Sequence, residues 1–94
     1  MVRHVVMFKF DAKSKIEKAK ELLLSMKENV PTVKKIEVGV DFLHSARSYD
    51  VYLSVDVKDK NALNEYQNDK YHCEVVKTYM HAYAVASVSL DYEF

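Results

Sequence analysis

Three side chains in this 94-residue chain have the types and placement that general acid–base chemistry needs. His72 opens a stripe continued by Val75, Val76, Tyr79 and Met80, so it faces inward near the start of a helix. The positive end of that helix disfavours a charged imidazole. A neutral ring is what a general base requires, and an unperturbed His titrates near ~6.5. Tyr66 shares an inner stripe with Leu63 on the preceding helix, and a buried phenol seeks a partner for its hydroxyl. His4 lies on a strand face with Val6 and Phe8. In a shared pocket, His72 would take a proton from a substrate and Tyr66 would steady the resulting oxyanion. Each residue also has an ordinary structural use. His4 would be a core His with one hydrogen bond, His72 a helix His bonded to a carbonyl, and Tyr66 a donor to His72 or the backbone.

The other chemistry-bearing residues point away from metals and cofactors. Cys73 is the one cysteine and follows His72 directly, so in a helix the two side chains diverge by about 100°. A small filler is its expected role, not a nucleophile. No Cys/His spacing matches a zinc site, and there is no Gly-rich phosphate loop or His-x-His pair. The expectation is therefore no metal and no organic cofactor. His44 falls in a polar loop and His81 near a helix end, both solvated. The seven Tyr residues are scattered and do not form a base-stacking platform.

The formal net charge is zero, which counts against a dedicated nucleic-acid binder. Nine of the 14 Lys and Arg, against four of the 14 Asp and Glu, fall in residues 1–35. Much of this excess lies on one helix and reads as a solvated face. No apolar stretch is long enough to span a membrane, and the N-terminus lacks a signal-peptide pattern. A reducing cytoplasm is the expected compartment. At this length a single domain, residues 1–94, is expected, and oligomerisation would add useful burial.

The elements that must position these residues follow from periodicity. Residues 2–10 read as a strand with Val2, His4, Val6, Phe8 and Phe10 on one face and Arg3, Val5, Met7 and Lys9 on the other. Ser14 and Glu17 form an S-x-x-E capping box before a helix over 15–29, whose stripe is Ile16, Ala19, Leu23, Met26 and Val30. Pro31 ends it. Residues 33–40 alternate as a strand, in which Gly39 marks a bulge or a close backbone approach. Residues 41–48 are a loop. In 49–57, Val51, Leu53, Val55 and Val57 alternate with polar residues. Asp59 and Asp69 each cap a short helix. Residues 84–92 alternate again, with Val85, Ser87, Ser89 and Asp91 opposite Ala84, Ala86, Val88 and Leu90.

The order β-α-β-β-α-β, with its second helix broken, predicts an α+β, ferredoxin-like fold: a four-stranded antiparallel sheet with helices on one side. Its other face, carrying Val5, Met7 and Tyr52, would be covered by a second copy related by a twofold axis.

In order and spacing, the chain resembles the stress-responsive A/B barrel (Dabb) family over nearly its whole length. VRHVVMFKF is similar to that family's first strand, and VKKIEVGVD to its second. SARSYDVYLSVDVKDKNALNEYQNDKYH resembles its S-x-x-Y-D strand, A-L-x-x-Y helix and following His. The resemblance implies a dimeric α+β barrel with a pocket between sheet and helices. The best-understood catalytic relatives, plant polyketide cyclases, perform an aldol condensation without a cofactor, using a Tyr and a His. Those fall on Tyr66 and His72, and a further pocket His falls on His4. Two departures stand out. The family's His-Pro-x-His is Asp69-Lys70-Tyr71-His72 here, and the cyclases' third-strand His falls on Val51.

Three functions are compatible with these residues. One is a homodimeric pocket protein, stress-related by family, binding a small apolar or carbonyl ligand among His4, Val6, Phe8, Val51 and Leu53. Another is a cofactor-free enzyme, a cyclase, isomerase-like lyase or monooxygenase, acting on an enolisable carbonyl with His72 and Tyr66. The third is a structural or stress-protective oligomer without turnover.

Overall fold

The alternating runs of β-branched residues pair into one antiparallel sheet, in the order β2-β3-β1-β4. A computed structural model describes all 94 residues. Strands β1 (Val2–Phe10), β2 (Lys35–Val40), β3 (Val51–Val57) and β4 (Ala84–Glu93) are joined by α1 (Ile16–Asn29), α2 (Lys60–Asn68), a π-helical segment His72–Lys77 and α3 (Thr78–Tyr83). The fold is the expected ferredoxin-like one.

Register decides which side chains share a face. In the β1·β3 pairing, Val2 lies opposite Val57, His4 opposite Val55, Val6 opposite Leu53 and Phe8 opposite Val51. These residues face the helices, where Ala19, Leu23 and Met26 of α1 are buried against them. Fully burying a side chain of the Val, Leu or Met kind stabilises by roughly 1.5–3 kcal/mol, so this layer dominates the fold energy.

Two local expectations are corrected. Ser14 does not cap α1: Lys13–Lys15 form a 3₁₀ turn, and Lys15, at the N-cap, makes no side-chain cap bond. That turn is held from across the chain, because the Tyr79 hydroxyl donates to the Lys15 carbonyl at 2.8 Å. Gly39 marks neither a bulge nor a close approach. Its φ is not positive, the β2·β3 register runs through it, and an added Cβ would meet Tyr52 at an ordinary 3.9 Å. The sheet's register shift instead falls at Lys9/Phe10, where β1 meets β4.

The caps at the second helical region form as expected. Asp59 accepts from the Ala62 N–H at 2.8 Å, and Asp69 from the His72 N–H at 3.1 Å. No helix is long and apolar enough to cross a membrane.

Candidate functional site

Tyr66 leaves α2 one turn before the Asp69 cap, and that cap holds His72 in the first turn of the next helical segment. The geometry stacks the two rings, with centroids 4.4 Å apart and planes 28° apart. His4 rises from the central strand to meet the Tyr66 ring edge-on, at 5.6 Å and 60°. His4 and His72 are each 7% exposed and Tyr66 is fully buried. All three line one cavity of about 440 Å³ between the sheet and the helices, together with Val6, Phe8 and Leu53. Val51, the remaining candidate, does not line it. Its side chain is buried in the core, paired with Phe8 on one side and Val40 on the other.

The polar atoms are unevenly satisfied. The Tyr66 hydroxyl reaches only the Met26 sulfur, a weak acceptor, at 3.7 Å. Burial, and secondarily Asp69, push its pKa upward, so it stays a phenol and a donor. His72 Nδ1 is buried with no hydrogen-bond partner. Burial holds the His72 pKa below its ordinary 6.5, with Lys77 and His4 adding to the effect. The Gln67 carbonyl and Asp69 oppose it, but that carbonyl already accepts from Cys73 Sγ at 3.3 Å and Lys77 Nζ at 3.4 Å. His72 is thus a neutral imidazole at pH 7.

His4 differs, because its Nδ1 is bonded to the Asp91 carboxylate. An ionised carboxylate only accepts, so Nδ1 carries the proton, and in the neutral ring Nε2 is left as acceptor. Sequence reasoning did not single out Asp91. The β1·β4 register puts it beside His4, and the alternation through Ser87, Ser89 and Asp91 gives the face but not the strand it pairs with. That polar face turns toward the helices, with Ser87 and Ser89 lining the cavity, while Val88 and Leu90 turn away and are exposed. No group of three or more His, Cys, Asp or Glu side chains is arranged to hold a metal ion.

A four-stranded antiparallel sheet with a cavity on its helical side, and a His-Tyr-His cluster opening into it, defines an α+β barrel subunit with a candidate acid–base site. The chain belongs to the stress responsive A/B barrel domain family, whose profile matches residues 2–94. No curated protein sequence matches it. Several solved structures share the fold. A dimeric ferredoxin-like protein of unknown function from Thermobifida fusca is 18% identical with a TM-score of 0.86, covering 99% of this chain and 90% of that one. A protein of Arabidopsis thaliana is 20% identical with a TM-score of 0.84, covering 100% and 95%. A hydroxynitrile lyase from Passiflora edulis is 16% identical with a TM-score of 0.81, covering 97% and 90%. At these identities the likeness concerns the fold.

Proposed function

We propose that this chain is a homodimeric pocket protein that binds a small enolisable carbonyl compound and catalyses proton transfer on it without a cofactor. The observation that carries the reading is the convergence of His72, Tyr66 and His4 on the lining of one cavity. In the reaction, neutral His72 takes the proton next to the carbonyl, and the Tyr66 hydroxyl donates to the enolate oxygen. The imidazolium then returns its proton, so no further reactant is needed. Asp91 holds His4 in one tautomer as a third polar contact. The lyase named above and the dimeric neighbour support the reading by analogy of fold only.

The test uses 4-phenylbutan-2-one as the probe and follows exchange of its α-hydrogens for deuterium by NMR. The wild-type protein is expected to accelerate exchange. His72→Ala should lower the rate by roughly 10²-fold or more, the usual contribution of a general base. Tyr66→Phe should also slow it. Equal rates in wild type and His72→Ala would refute the catalytic reading, and a ketone that shifts no cavity resonance would refute the pocket.

A further inference from the structure

Lys77 is a basic side chain at this cavity that the proton transfer does not use. It ends the π-helical segment, lies half-buried, and lines the same cavity as His72. Helix geometry explains how. In an α-helix, a residue five positions on is turned away by about 140°. The wider i→i+5 turn of a π-helix brings it nearer the face of the first, and such turns frequently occur at functional sites. Thr78 Oγ1 bonds the Cys73 carbonyl at 3.3 Å, five residues back, within the same stretch.

The surroundings of Lys77 favour an anion. Its Nζ has a single hydrogen-bond partner, the Gln67 carbonyl at 3.4 Å, which is already shared with Cys73. None of the chain's four ion pairs includes it. No Asp or Glu lines the cavity, whereas His81, Ser87 and Ser89 add donors to the same lining. Lys77 also lies close enough to His72 to disfavour its protonation, which places positive charge near the candidate base.

We infer that Lys77 receives a carboxylate, so that the carbonyl compound taken by this site is an oxo acid rather than a neutral ketone. The inference names the substrate class of the site proposed above and rests on that reading. The carbonyl end would lie at His72 and Tyr66, and the acid end at Lys77, with Ser87 or Ser89 as a second donor.

A matched pair of probes, 3-benzoylpropionate and its methyl ester, separates the possibilities by NMR titration. The wild-type protein should bind the acid at least about tenfold more tightly than the ester, as one charge-assisted hydrogen bond supplies. Lys77→Met should remove that preference. Lys18→Met, an exposed cation on α1, should leave the preference in place. Raising the salt concentration should shrink it. Equal wild-type affinities, or a preference that survives Lys77→Met, would overturn the inference. If the ester binds without any acid preference, the pocket stands and the anion site fails. If a Lys77-dependent preference appears without α-deuterium exchange, the anion site stands and the catalytic reading fails. If neither probe shifts a cavity resonance, both are wrong.

Discussion

Burial and hydrogen bonding give the three aromatic side chains of the cluster different characters. Tyr66 is kept protonated by desolvation, and His72 is kept neutral by the same cause. His4 is instead oriented by a carboxylate. The depressed His72 pKa has a consequence for stability. The unfolded chain binds a proton at this ring near pH 6.5, and the folded chain binds it only at lower pH. Stability from His72 is therefore full above pH 6.5 and is lost as the pH falls toward the folded-state pKa. The slope from one such group is at most about 1.4 kcal/mol per pH unit. His72→Asn should flatten the dependence, by no more than that slope. Denaturant midpoints of both proteins between pH 4.5 and 8 provide the check, and the difference between the curves isolates this ring. Parallel curves would mean that His72 titrates alike in both states.

At the scale of the element, the second helical region depends on its caps more than α1 does. The Asp59 carboxylate bonds the Ala62 N–H, whereas no side chain caps α1. Asp59→Ala should cost about 1 kcal/mol, and Ser14→Ala well under half of that. Urea denaturation monitored by circular dichroism measures both, and an equal loss would contradict the assigned cap. The same contrast shows what the sequence made legible. The strands stood out because Val, Ile and Leu alternate with polar residues, and the Asp59 and Asp69 caps because each precedes an apolar stripe. Ser14 and Glu17 matched a capping box by type, but the chain turns into a 3₁₀ turn anchored by Tyr79, a contact 64 residues distant. The π-helical turn was hidden because His72, Val76 and Met80, all buried, also fit a 3.6-residue period. For the same reason, Lys77 was not singled out. Asp91 required the β1·β4 register, and Val51, placed by resemblance, turned out to be packed in the core. His4, Tyr66 and His72 were readable because each carries a polar group on an otherwise apolar face.

At the scale of the whole molecule, the sheet face away from the helices is divided. At one end, Arg3 makes a two-pronged contact with Asp56, at 2.7 and 3.0 Å, and stacks over Phe94 with its guanidinium 4.4 Å from the ring centre. The paired guanidinium holds the Asp56 carboxyl below its ordinary range. Those polar groups are satisfied within the chain. Along β1 and β4 the same face carries bare apolar side chains. Met7, Val88 and Tyr92 are exposed, Leu90 is 63% exposed, and beside them the β2–β3 loop holds Phe42 at 89%. A contiguous apolar surface of this kind marks an interaction site. A twofold-related copy fits it, because the same patch then covers itself, and dimers are described among the structural neighbours. The expected result is a particle sedimenting at about twice 10.9 kDa at micromolar concentration. Met7→Glu and Leu90→Glu should each weaken the dimer by roughly 10²-fold or more, because twofold symmetry places every new charge in the interface twice and without a partner. Ser14→Glu, at an exposed turn of the helical layer, should leave it intact. Circular dichroism of the same variants separates loss of the dimer from loss of the fold. A clean 10.9 kDa monomer in the wild type would overturn the homodimer, while a dimer indifferent to both Glu substitutions would mean that the copies meet elsewhere.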